Sequence, residues 1–148
     1  MQKITTFLTF KDKAEEAAKF YVSLFKNSRI VNTMRAADIV MSVEFDLEGQ
    51  RYIALNGGPS FSFAQGFSLY VSCDTQQEID DLYEKLSAGG EKQPCGWLLD
   101  RFGVSWQVIP PILGQLLGHE DPAKAKRVLD AMLTMKKIDI AALERAVA

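Results

Sequence analysis

Adding 62 to a residue number in the first half of this chain returns a residue of matching character in the second, and no other feature constrains the fold as strongly. Asp12 maps to Asp74, Glu16 to Glu78, Ala17 to Ile79, Phe20 to Leu82, Tyr21 to Tyr83 and Leu24 to Leu86. A repeated amphipathic helix in equal phase implies two copies of one supersecondary unit. Any fold must therefore accommodate the same module twice.

The first copy can be read element by element. Residues 4–10 are β-branched and aromatic, as a strand prefers. Asp12 with Glu15 then makes a capping-box-like start to a helix that carries Ala14, Ala17, Ala18, Tyr21, Leu24 and Phe25 on one side. Residues 39–48 alternate, with Ile39, Met41, Val43, Phe45 and Leu47 on one side and Ser42, Glu44, Asp46 and Glu48 on the other. A turn at Glu48-Gly49-Gln50 leads into a strand over 51–56 that ends at Gly57-Gly58-Pro59, and a shorter strand is expected near 29–35. The order is β-α-β-β-β.

The second copy repeats it. A strand over 67–73 precedes a helix boxed by Thr75 and Glu78 and stopped at Gly89-Gly90. Strands over 95–100 and 104–109 form a hairpin around Arg101-Phe102-Gly103, with a short strand expected near 91–94. Beyond Pro110-Pro111 the pattern is helical only. Asp121-Pro122 starts a helix with Ala125, Val128, Leu129, Met132 and Leu133 on its stripe, and a last helix starts at Asp139. The expected fold class is α+β in one domain over 1–148, with modules over 1–61 and 62–110 and a C-terminal helical extension over 111–148. That extension is expected to cover a sheet edge, meet a second copy or cap a pocket.

Composition narrows the function classes. A chain of 148 residues with 47% hydrophobic content buries about 70% of its unfolded surface and needs no staples. A formal charge of −2 offers no field for a phosphate backbone, so no nucleic-acid partner is expected. No apolar run reaches the roughly 20 residues of a membrane helix, and the first residues lack a signal-peptide pattern, so a cytoplasmic location without membrane contact is expected. Cys73 and Cys95 suit neither a disulfide framework nor a zinc cluster and are expected as reduced thiols.

Four segments carry a family resemblance. They are Ala17-Ala18-Lys19-Phe20-Tyr21-Val22-Ser23-Leu24-Phe25, Ala54-Leu55-Asn56-Gly57-Gly58-Pro59, the stretch from Cys95-Gly96-Trp97 to Trp106-Gln107, and the tail from Ala131 to Asp139. Together they resemble the PhnB-like branch of the vicinal-oxygen-chelate (glyoxalase/bleomycin-resistance) superfamily, a branch often labelled 3-demethylubiquinone-9 3-methyltransferase. The resemblance implies that each module curls into a half-cup, that the half-cups enclose a small-molecule site, and that the protein is a homodimer.

Metal-using members of that superfamily take ligands from the first and last strands of each module. Carried over by position, those corners are Thr5, Phe67, Gln107 and either Ala54 or Asn56. One amide of four cannot hold a transition metal against water, so no metal and no other cofactor is expected. The methyltransferase label is expected to fail as well. S-adenosylmethionine requires a strand, a glycine-rich turn and a helix, whereas Gly57-Gly58 leads into Pro59 and Gly89-Gly90 ends a helix.

The expected cup lining is Thr5, Phe7, Asn56, Phe67, Trp97, Trp106 and Gln107, with Phe67, Leu69 and Val71 taken as the inward phase of the second module's first strand. The alternative for both tryptophans is ordinary core packing. His119 reads as a surface or capping residue, Cys95 as a structural thiol, and Lys124, Lys126, Arg127, Lys136 and Lys137 as a solvated helix side. The leading expectation is a protein that binds a small uncharged or aromatic organic molecule without a metal. The alternatives are a lyase, dioxygenase or isomerase with a non-standard or substrate-completed metal site, and a degenerate dimeric scaffold.

Overall fold

The computed structural model describes residues 2–148, and the chain forms two compact units, Met1–Phe63 and Ala64–Ala148. The first contains β1 (Thr6–Phe10), α1 (Ala14–Leu24), β2 (Arg29–Ala36), β3 (Ile39–Leu47) and β4 (Gln50–Asn56). Its sheet has the order β1-β4-β3-β2, with β1 parallel to β4 and the other neighbours antiparallel. The second contains β5 (Leu69–Ser72), α2 (Gln76–Ser87), β6 (Glu91–Lys92), β7 (Trp97–Leu99) and β8 (Ser105–Ile109), followed by α3 (Pro111–Leu117), α4 (Pro122–Leu133) and α5 (Ile140–Val147). Its sheet order, β5-β8-β7-β6, is the same arrangement with the same parallel pair. The chain is an α+β protein of two tandem β-α-β-β-β modules with added C-terminal helices.

In the first unit, Ala14, Ala17 and Ala18 let α1 approach the sheet closely, and Tyr21 is buried with its ring 6.3 Å from that of Phe45. Leu8, Val43, Phe45 and Ala54 share the α1 side of the sheet and are buried. Two expectations change here. The helix begins at Ala14 after Lys13, with no side-chain cap of its own, so the Asp12–Glu15 box does not form. The first amide is capped instead by Asn56 Oδ1, which accepts from Ala14 N at 2.9 Å. The alternation of β3 also ends early, because Ile39 and Met41 are exposed while Val43, Phe45 and Leu47 are buried. Ile39 and Val40 pair with β2 alone and Met41 sits at a register shift, since the β3–β4 ladder begins at Ser42 opposite Leu55, and a two-stranded end offers little to pack against.

In the second unit the Thr75 cap forms as expected, its hydroxyl accepting from Glu78 N at 3.2 Å. Ile79, Leu82, Tyr83 and Leu86 of α2 are buried together with Leu98, Trp106 and Val108 of the sheet. Asp100 organises the β7–β8 hairpin. Its Oδ1 accepts from Phe102 N at 2.9 Å and Val104 N at 3.0 Å, while Oδ2 accepts from the Trp106 indole at 2.9 Å. Gly90 must be glycine because a Cβ there would collide with the Leu99 carbonyl.

The tail helices close over Ile109, Leu113, Val128, Ile138 and Leu143. They are pinned to the strand-leading turn at Pro94–Gly96 by Cys95 N donating to Met135 O at 2.8 Å and Gly96 N to Lys136 O at 2.7 Å. Gln76 clamps the same region, donating to Ile138 O at 2.9 Å and accepting from Ile140 N at 2.8 Å. The stripe expected on α4 is only partly covered, since Val128 is buried whereas Leu129 and Leu133 are exposed. Among the described residues no helix is long and apolar enough to cross a membrane.

Candidate functional site

Strand register decides which side chains each sheet presents away from its helix, because residues paired across a ladder share a face. In the first unit Phe7 pairs with Ile53, which pairs with Glu44, and Thr9 pairs with Leu55, which pairs with Ser42. These lie opposite the buried Leu8 and Ala54 rows, so they occupy the face away from α1. Phe7 is exposed there, and Thr5, half-buried just ahead of β1, continues its phase. One end of this face is ionic. Asp46 accepts from Arg51 Nε at 2.6 Å and from Arg29 Nε at 3.3 Å, and Arg51 also pairs with Glu44. The Arg51 hydrogen bond outweighs desolvation and, with Arg29, holds the Asp46 carboxyl below its ordinary value.

In the second unit Tyr70 pairs with Gln107, which pairs with Trp97, on the face away from α2. Two aromatic side chains thus flank one amide. Gln107 Nε2 donates to Ser68 Oγ at 2.9 Å. Ser105 and Ile109 precede and follow Gln107 on the same side of β8, and Ile109 is buried under the tail helices, so the tail bounds this face. The Ser105 hydroxyl is buried and has no hydrogen-bond partner among the described residues.

The candidates drawn from the sequence therefore separate. Thr5, Phe7, Trp97 and Gln107 lie on faces turned away from the helices. Asn56 does not, because its amide is spent on Ala14 N and on Val40 O, to which Nδ2 donates at 3.1 Å. Trp106 does not either. It is buried on the α2 side with its indole held by Asp100, as the core-packing alternative required. Phe67 lies ahead of β5 in an exposed turn. Leu69 and Val71 pair with Trp106 and Val108, hence face α2, and Tyr70 takes the phase assigned to them. The cause is a one-residue slip. The buried rows led by Leu8 and Leu69 correspond, one residue out of step with the 62-residue spacing of the helices. Tyr70 and Ser68 were missed for that reason. A polar aromatic residue among Leu69, Val71 and Ser72 was the available signal.

The chemistry of the remaining groups is limited. Among the described residues no three His, Cys, Asp or Glu side chains gather as metal ligands. A metal of the kind the fold family implies does not fit this donor set, since Thr5, Phe67 and Ala54 supply no strong ligand and Asn56 is committed to α1. A methyl-donor nucleotide fits no better. Gly57 and Gly58 open onto coil, and Gly90 is packed against the Leu99 backbone where a ligand would need room. Burial, with Glu78 and Asp74 nearby, pushes the Cys73 thiol up to about 12, which removes it as a nucleophile. Cys95 Sγ lies 3.7 Å from Met132 O in the tail contact. His119 Nδ1 accepts from Asp121 N at 3.0 Å, a local capping role.

Comparison with known proteins bears on these modules. A family model described as 3-demethylubiquinone-9 3-methyltransferase matches residues 2–109. A PhnB protein from Bacillus cereus with the same methyltransferase description is 40% identical, with a TM-score of 0.69 over 74% of this chain and 99% of that one. A protein from Pseudomonas aeruginosa aligns with a TM-score of 0.64 at 20% identity, covering 74% of this chain and 98% of the other. The fosfomycin resistance protein FosX from Listeria monocytogenes, solved with manganese(II) and sulfate, aligns with a TM-score of 0.51 at 15% identity over 73% of this chain and 88% of its own, a likeness of fold alone. No curated protein matches the chain. The matched stretch spans both β-α-β-β-β modules at an identity well above that of fold likeness, and the chain belongs to the PhnB-like, 3-demethylubiquinone-9 3-methyltransferase-domain family.

Proposed function

We propose that this protein binds a small, uncharged or aromatic organic molecule without a metal ion, using sheet faces turned away from the helices. The observation that carries this is the row Tyr70–Gln107–Trp97, two aromatic surfaces on either side of an amide with no ionised group in the row. An apolar surface with a few placed hydrogen-bonding groups suits a neutral ligand, since a charged one would lose hydration with no opposite charge to replace it. Phe7 on the first unit's sheet offers a second aromatic surface of the same kind. The methyltransferase description finds no support in the glycine turns of the described residues, since Gly57-Gly58 opens onto coil and Gly90 packs on the Leu99 backbone.

Metal analysis of the purified protein, with thermal shift in nickel, zinc, manganese and iron, tests the metal-free part. Substoichiometric metal and no stabilisation are expected. A stoichiometric, tightly held ion would defeat the proposal. Fragment screening by NMR tests the ligand part, with shifts expected at Tyr70, Trp97 and Gln107. A metal-assisted lyase, dioxygenase or isomerase loses support because Asn56, one of the corner positions, is occupied in capping α1. From the family resemblance the same proposal takes the protein to be a cytoplasmic homodimer, which sedimentation velocity and fractionation would check.

A further inference from the structure

We infer that Ser68 sets ligand preference on the second sheet by orienting the Gln107 amide, so that the row Tyr70–Gln107–Trp97 favours aromatic molecules that donate a hydrogen bond, a phenol or an aryl amine. The inference rests on the proposed binding role of that row. Ser68 Oγ accepts from Gln107 Nε2 at 2.9 Å, an arrangement that turns the amide nitrogen to Ser68 and leaves Oε1 on the opposite side of the carboxamide carbon. Among the described residues Oε1 has no protein partner. On a half-buried glutamine between two aromatic side chains, a carbonyl oxygen without a protein partner is an acceptor available to a donor on the ligand. Burying an acceptor-only ligand against it would set two lone pairs face to face. Ser68 is thus a positioning residue that acts through Gln107, and Gln107 is the group that touches the ligand.

The test uses the full chain and two probes of equal ring size, 2-naphthol, which donates, and 2-methoxynaphthalene, which only accepts. Binding is followed by the indole and amide NMR signals of Trp97, Tyr70 and Gln107. The wild-type protein is expected to bind 2-naphthol about tenfold more tightly, the discrimination that one satisfied against one unsatisfied hydrogen bond typically gives. Ser68→Ala should bring the two affinities to within about twofold, because the freed amide can present either end. Ser68→Thr, which keeps the hydroxyl, should restore the preference, and a merely structural serine would not show that pattern. Gln107→Met should bind both probes equally. Equal binding by the wild type, or a preference that survives in Ser68→Ala, overturns this inference while leaving the binding role of the row intact. If neither probe perturbs Tyr70 or Trp97, the proposed binding role fails and the inference falls with it.

Discussion

Asn56, the last residue of β4, caps the first turn of α1 from 42 residues away, its Oδ1 accepting from Ala14 N at 2.9 Å. The same amide donates from Nδ2 to Val40 O, beyond the last rung that joins β3 to β4. One side chain therefore ties a helix start and two strands together in a helix that lacks a local cap. Replacing Asn56 by Ala orphans the Ala14 amide and should cost about 1–2 kcal/mol. Asn56→Asp keeps an acceptor for the helix but turns a carboxylate oxygen toward Val40 O in place of the donor, so it too should fall below the wild type. Urea denaturation of the three proteins checks the order. A neutral Asn56→Ala variant would show that water replaces the cap and that the amide is free for a ligand.

A second prediction concerns the hairpin after β7. Asp100 is buried and accepts from two backbone amides and from the Trp106 indole, so its carboxylate satisfies three donors that would otherwise be desolvated without partners. Asp100→Asn turns one oxygen into a donor facing either the indole or the loop amides, and should destabilise by about 2–4 kcal/mol. The tryptophan fluorescence of the native state should change too, since the Trp106 indole loses its charged acceptor. If the variant unfolds at the wild-type urea midpoint, the hairpin does not depend on this carboxylate.

These two residues show what could and could not be read from the sequence. The β-α-β-β-β order, the Thr75 cap and the hairpins were legible because periodicity, capping pairs and turn residues act within a few positions. The role of Asn56 was not, since its partner lies 42 residues away and appears only when β1 and β4 lie side by side. The face occupied by Tyr70 was misjudged because a one-residue slip between modules inverts every side chain of a strand. Helix phase carries no record of such a slip. Trp106 and Gln107 are neighbours in one strand and so point to opposite faces, a constraint that naming both as lining residues overlooks.

The acid limb of stability has two identifiable contributors. Asp46 is held below the ordinary aspartate value first by its hydrogen bond with Arg51, and Asp80 first by its hydrogen bond from Gln76 and then by Lys137. A carboxylate depressed in the folded state adds stability that is present above its unfolded value and is lost as pH falls through the folded one. Stability should therefore decline below the ordinary aspartate range, and Asp46→Asn and Asp80→Asn should each make that decline shallower. Both carboxylates are half-buried in ion pairs at the surface, so the effect should be small and should weaken in high salt. Denaturation midpoints across the acid range, at low and high salt, measure this. A steeper acid decline in either variant would contradict the assignment.

The two thiols should part company in reactivity. Cys73 is buried, and that desolvation, with Glu78 and Asp74 adjacent, raises its thiol to about 12, so at pH 8 only about one molecule in ten thousand carries the thiolate that reacts with a disulfide reagent. Cys95 is half-buried in the turn that docks the tail, with its sulfur against the Met132 carbonyl. Titration with an aromatic disulfide in native buffer should therefore leave Cys73 unmodified, and in urea both cysteines should react. Peptide mapping after the native reaction identifies the site. Modification of Cys73 at the rate of an unfolded thiol would mean that the start of α2 opens readily, and the clamp that Gln76 makes on the tail would have to open with it.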